Sequence, residues 1–230
     1  MARRHAFIGE ENNLRIPGDA FTFEGFQRWV ESGGFPETGR IDYLQGDIEV
    51  DISPEDLHTH GIPKTAICAA LHLLVSGRRG DVYVDSTRVT SRFAGLSAEP
   101  DVVVVLWTSL KSGRVRYVPA AVQEPDRFSG IEGAPDLVVE VVSAGSVTKD
   151  LKLLPPIYAK AGVPELWIAD VRKDKVKFQI HTLEDGKYVA LAPDKGGWMR
   201  SPRLDLAFRL TRHRTPMDSW HYVLEHRESF

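Results

Sequence analysis

Residues 100–106 read PDVVVVL and residues 135–143 read PDLVVEVVS. Each is a run of strand length, rich in β-branched residues, introduced by a Pro-Asp dipeptide. Continuous rather than alternating apolar residues mark strands covered on both faces. The second run carries a carboxylate, Glu140, inside its valines, and the first starts on one, Asp101. Placing a charge in such a strand costs free energy unless it is paired, hydrogen-bonded or bound to a metal ion.

The surrounding chain supplies an α/β frame. Phe21 to Ser32 has helical spacing (Phe23, Phe26, Trp29, Val30), with Thr22 as N-cap and Gly33-Gly34 as terminator. Arg40 to Ile52 alternates around Gln45-Gly46-Asp47, which predicts a hairpin. Ile62 to Ser76 predicts a helix, and Asp81 to Ser91 an alternating strand. Lys111 to Ala134 is polar and broken by Gly and Pro. Val147 to Gly162 is helix-like but contains Pro155-Pro156, so regular helix is expected only from about Leu154, with 147–153 irregular. Glu165 to Val171, Val176 to His181 and Tyr188 to Leu191 complete a strand-rich second half. Residues 1–20 are expected as a polar N-terminal segment and 21–230 as one domain.

Composition narrows the function classes. With 42% hydrophobic and 27% charged residues, a 230-residue chain can build a core without staples. One cysteine, Cys68, rules out an intramolecular disulfide and a multi-cysteine zinc site. The start MARRHAFIGEENN has no apolar run, and no stretch approaches the ~20 residues that cross a bilayer. A cytoplasmic protein with no membrane partner is expected. A formal charge of −3 gives no overall pull toward nucleic acid, though a local basic face or a metal ion can supply one. No G-x-S-x-G elbow, P-loop or dinucleotide fingerprint is present. His58-Thr-His60 is too closely spaced for a helical zinc pair.

Taken alone, Asp101 also fits a solvated turn, and Glu140 a glutamate at a sheet edge or one paired with an arginine. Taken together on two apolar strands, they suit a site for Mg²⁺ or Mn²⁺, which prefer hard oxygen ligands. The succession RIDYLQGDIEV, His60-Gly61, Pro100-Asp101, LVVEVVS, Lys149-Asp150, Tyr158 and AGVPELWIAD resembles the Uma-type restriction endonucleases of the PD-(D/E)XK superfamily, from about Arg40 to His181. The resemblance implies a restriction-endonuclease-like α/β core, a central mixed β-sheet flanked by helices, with the site at one sheet end. It implies that Asp101 and Glu140 are metal ligands and that the protein is a Mg²⁺- or Mn²⁺-dependent endonuclease acting on DNA. Cutting both strands of a duplex commonly takes two copies of a single site, so a homodimer is expected.

One part of the pattern departs. The superfamily lysine would fall at Val142, or, by the family's helix-borne variant, at Leu154; neither can serve. Lys149 is the first candidate in its place and Lys152 the second, although on a regular helix they lie about 140° and about 160° from position 154. Asp42 matches a family glutamate and is either a further acidic group beside the metal or a polar strand residue. His60 matches a recurrent histidine at a helix start, with a phosphate contact at the site edge, a hydrogen bond fixing the helix entry, or no role as its options. The displaced lysine keeps a second reading open: a nuclease-fold module that binds nucleic acid or serves a structural role without catalysis. Basic clusters at 111–116, 172–177 and 209–214 suit backbone contacts in either case, or are solvated surface.

Overall fold

The structure, a computed structural model, describes residues 14–120 and 125–228. Helix α1 (Phe23–Val30) starts at Thr22, whose hydroxyl accepts from the Gly25 N–H at 3.1 Å. The expected hairpin follows as β1 (Arg40–Leu44) and β2 (Asp47–Asp51). Gln45 and Gly46 both take positive φ, 57° and 108°, giving a two-residue turn that suits the twist of paired strands. Then come α2 (Ile62–Val75), β3 (Gly80–Val84), β4 (Arg88–Ser91), β5 (Leu96–Ala98), β6 (Val102–Leu106) and the short α3 (Trp107–Lys111). The remainder is β7 (Val115–Pro119), β8 (Phe128–Gly133), β9 (Leu137–Val141), α4 (Leu154–Ala161), β10 (Glu165–Asp170), β11 (Lys177–Glu184), β12 (Lys187–Ala190), β13 (Met199–Ser201), β14 (Leu206–Arg214) and β15 (Trp220–Glu228).

The central sheet has the order β12-β11-β10-β9-β6-β3. It is mixed: β9 and β10 run parallel, joined by the α4 crossover, and the other pairs are antiparallel. Both faces are covered, as the unbroken apolar runs require. On one face Val102, Val104, Val139, Val141 and Trp167 pack under α2 and a three-stranded sheet, β13-β14-β15, through Leu71, Phe208 and Tyr222. On the other, Val103, Val105, Val138 and Leu166 pack under α4 and a second six-stranded sheet, β2-β1-β5-β4-β8-β7. Each buried Val or Leu contributes roughly 1.5–3 kcal/mol, so any polar group admitted here must be compensated.

Three expectations need adjustment. The run Asp81–Ser91 is not one strand: Asp85 and Ser86 take left-handed φ (29° and 44°), and the chain leaves the central sheet as β3 to join the second sheet as β4. The polar stretch 111–134 holds β7 and β8, whose pairing rather than apolarity makes them strands. Helices flank the central sheet as expected, one on each face, but each shares its face with a sheet. Regular helix does begin at Leu154. The segment before it is a single wide helical turn, Lys149–Leu153, closed by the Leu154 N–H donating to the Lys149 carbonyl. Among the described residues, no helix is long and apolar enough to cross a membrane.

Candidate active site

Register places the two acids. β6 and β9 are antiparallel with Val102 opposite Val139, so one step outward sets Asp101 beside Glu140, about 5 Å apart at Cα for such neighbours. By two-residue alternation, Asp101 continues the Val103/Val105 row and Glu140 the Val138 row, both of which face α4 and the second sheet. Asp101 has no exposed surface and Glu140 only 1%.

Asp101 is held as an anion. Its Oδ2 accepts from the Val141 N–H at 2.7 Å and lies 3.2 Å from His60 Nε2, while Oδ1 accepts from Arg40 at 3.0 Å. Burial pushes the carboxyl up, but the His60 hydrogen bond and the Arg40 charge outweigh it and hold the group well below the usual carboxylate range. Glu140 is the opposite case. Burial, then the charges of Asp150 and Asp101, raise it far above an ordinary glutamate. Tyr158 donates to its Oε1 at 2.6 Å, and its buried Oε2 has no partner.

Lys149 reaches this cluster. Its side chain is 9% exposed, and its Nζ lies 3.1 Å from Asp42 Oδ2 and 3.9 Å from Asp150 Oδ1. Burial would lower the ammonium, but the Asp42 and Glu140 charges raise it, so it stays protonated. The wide turn is what points Lys149 inward, overriding the angular argument from a regular helix. Lys152, three residues on, is exposed and is not brought to the cluster. The two positions where the superfamily lysine would fall, Val142 and Leu154, are both core residues. Asp42, on β1, is 1% exposed and also accepts from the Glu99 N–H at 3.0 Å. It is a member of the buried network rather than a polar strand residue.

His60 is aimed by its own turn. Asp56 caps the wide helical turn Leu57–Gly61 by accepting from the His58 and Thr59 N–H groups at 2.9 and 2.7 Å. The ring then spans Glu55 (2.9 Å) and Asp101. Burial would lower its pKa, but the Asp101 hydrogen bond and charge raise it. His58 is exposed.

Sequence reasoning left three participants out of the site. Arg40 precedes Asp42 by two residues on one strand, so both face the same way, a spacing that was available to find it. Asp150 receives the Ser146 hydroxyl on Oδ2, and burial raises it to about 6 against the opposing pull of Lys149; its Oδ1 has no hydrogen-bond partner. Tyr158, read from the sequence as part of the family succession, donates its hydroxyl to Glu140. A cleft of about 450 Å³ is lined by Arg40, Asp51, Ser53, Glu55, His60, Lys64, Asp85 and the 143–146 loop, so Arg40, His60 and Ser146 separate it from the acids they contact. A hollow of about 510 Å³ beside α1, lined by Leu14, Trp29, Ile41 and Ile52, is more apolar and lies away from the buried acids.

The chain matches the Uma2 family, described as "Putative restriction endonuclease", over residues 23–213. It belongs to that family. Among solved structures it is similar to a crystal structure described as "a putative nuclease belonging to DUF820 from Anabaena variabilis ATCC 29413". That similarity has 19% identity and a TM-score of 0.53, covering 80% of this chain and 90% of the other, and it bears on the fold. Comparison with curated proteins returned no match.

The Uma2 membership raises the question of a divalent ion. The donor chemistry fits one: hard carboxylate oxygens from Asp101, Glu140 and Asp150, two of them buried without a hydrogen-bond partner. Among the described residues no three His, Cys, Asp or Glu side chains stand ready as a cage. Arg40, His60, the Val141 N–H, Tyr158 and Ser146 hold the remaining oxygens instead.

Proposed function

We propose that this Uma2 protein is a Mg²⁺- or Mn²⁺-dependent endonuclease that hydrolyses DNA phosphodiester bonds, working as a homodimer when both strands are cut. The observation that carries the reading is the pairing of Glu140, with a buried, unpartnered Oε2, beside the ionised Asp101, behind a cleft wall to which Arg40 and His60 contribute. Without a cation, burial and the neighbouring Asp150 and Asp101 charges keep a proton on Glu140, and a bound cation would let that second carboxylate ionise.

Asp101 and Glu140 would hold the ion, with Asp150 Oδ1 available as a further donor. Bound there, a divalent ion supplies Lewis-acid polarisation of the phosphate and a more acidic attacking water. Lys149, kept protonated by Asp42 and Glu140, supplies a cation toward the phosphate charge that grows during attack. Arg40, which lines the cleft and contacts Asp101, offers a fixed guanidinium to a phosphate oxygen. His60, backed by Glu55, keeps Asp101 oriented. Tyr158 does the same for Glu140.

The direct test is Mn²⁺-dependent cleavage of supercoiled plasmid. Wild type should nick and linearise it, and Asp101→Ala should not. Wild type that binds DNA without cutting it, in any divalent metal, would refute the enzyme and favour a catalytically silent binding module.

A further inference from the structure

Two basic stretches far apart in sequence, 172–177 and 209–214, meet in the structure. Arg212 donates to the carbonyls of Lys173 at 3.0 Å and Asp174 at 2.6 Å, which clamps the loop after β10 onto the end of β14. Trp220 stacks against both Arg212 and Arg214, with guanidinium carbons 4.0 and 4.1 Å from its ring centroid. The result is a braced edge on which Lys173, Lys175, Lys177 and Arg214 are exposed.

This edge lies at the same end of the central sheet as the buried carboxylates. β10 runs parallel to β9 with Ala169 beside Val141, so the chain after Asp170 emerges next to the end of the Glu140 strand. Arg172 is close enough for Asp150 to act on its charge. A second path leads to the same place. The cleft shares Glu55, Lys64 and Asp85 with an adjoining hollow of about 490 Å³ whose far wall is His221 and Tyr222, next to Trp220 on β15.

Charge is distributed to match. Along 170–177, 212–214 and 218 there are six Lys or Arg (172, 173, 175, 177, 212, 214) against three Asp (170, 174, 218), a local +3 in a chain of formal charge −3. On the α2 side of the cleft, Glu55, Asp56 and Asp85 share the rim with Lys64, which pairs with Glu55 and Asp85, so little net charge is left there. A polyanion approaching the site is thus drawn to the basic flank.

Building on the nuclease reading, we infer that the edge formed by residues 172–177 and 212–214 is the docking surface for the phosphate backbone of duplex DNA beside the cleft. Contacts of this kind position without reading sequence, and each neutralised phosphate releases counterions, so the surface has a salt signature.

The test measures binding of a short fluorescein-labelled duplex by anisotropy in EDTA across a salt series. It compares wild type with K173Q/K175Q/K177Q and with K111Q/K160Q/K187Q, which removes the same charge from the opposite sheet end. The edge variant should bind on the order of 100-fold more weakly near 0.15 M salt, with a log–log salt slope shallower by about 2.7. The control should stay within about threefold of wild type, and thermal melts should show all three folded. Equal affinity of edge variant and wild type, or no binding by wild type, would overturn the docking surface. Mn²⁺-dependent cutting is scored separately: a wild type that binds through this edge but never cuts defeats the nuclease reading and leaves the surface standing.

Discussion

The two ends of the β6–β9 strand pair carry the same dipeptide and nearly the same local contact. At one end Asp101 follows Pro100 and accepts the Val141 N–H at 2.7 Å; at the other Asp136 follows Pro135 and accepts the Leu106 N–H at 2.8 Å. Both aspartates are fully buried. Register extends the likeness one step and then breaks it, for Asp101 lies beside Glu140 and Asp136 lies beside Val105. Asp136 Oδ1 is taken by Arg114 and Arg203, so its charge is balanced within the fold. Asp101 sits instead in a group with Glu140, Asp150 and Asp42, four acids facing only Arg40, His60 and Lys149, and Glu140 is driven far above an ordinary glutamate. A Pro-Asp before a buried strand is therefore a latch by default. It becomes a candidate catalytic group when a second acid without a partner stands next to it.

That contrast orders the expected effects of mutation. The largest is on cleavage: Asp101→Asn and Glu140→Gln should each lower the plasmid cleavage rate by at least about 100-fold, whereas folded Asp136→Asn should cut within a few-fold of wild type. A cleavage loss in Asp136→Asn matching that of Asp101→Asn, with the protein still folded, would erase the distinction. Lys149→Met should fall nearly as far as the acid variants and Lys152→Met should not; reversed rates would move the catalytic lysine to the exposed position.

Stability should separate the two ends the other way. Asp136→Asn leaves Arg114, Arg203 and the Leu106 N–H poorly satisfied and should destabilise by about 1.5–3 kcal/mol in urea unfolding. At the Asp101 end the expected signature is pH dependence. Asp150, raised to about 6, binds its proton more tightly folded than unfolded, so its stabilisation is complete below the unfolded value near 3.8 and is lost as pH rises through about 6. Metal-free Asp150→Asn should flatten the stability profile across that window by up to roughly 3 kcal/mol. An unaltered profile would mean the cluster carries less strain than its burial implies. The smallest effect is Tyr158→Phe, which removes one hydrogen bond to Glu140 and should cost about 1 kcal/mol with cleavage reduced only severalfold.

The frame was legible where residues announce their own surroundings. Unbroken valines gave β6 and β9, Gln45-Gly46 gave the first hairpin, and Pro155-Pro156 gave the start of α4 at Leu154. The C-terminal sheet was not legible. β14 places Arg212 and Arg214 on the same face as Phe208 and Leu210, and stacking on Trp220 accommodates their charges, so the two-residue alternation is masked. The β3–β4 break was silent because Asp85 and Ser86, rather than glycine, take the left-handed turn. Within the site, Asp101 and Glu140 stood out as charges among valines. Asp150 and Arg40 did not, since a carboxylate in a helical turn and an arginine at a strand start are ordinary on a surface; only tertiary packing buries Asp150 and half-buries Arg40.

The most direct measurement is a Mn²⁺ titration of the DNA-free protein, followed by electron paramagnetic resonance of the free ion. Wild type and Asp136→Asn should each remove Mn²⁺ from solution at a specific site, and Asp101→Asn and Glu140→Gln should lose that site. Binding that survives in both acid variants, or that is missing from wild type, would contradict the convergence of these two strands on a shared cation.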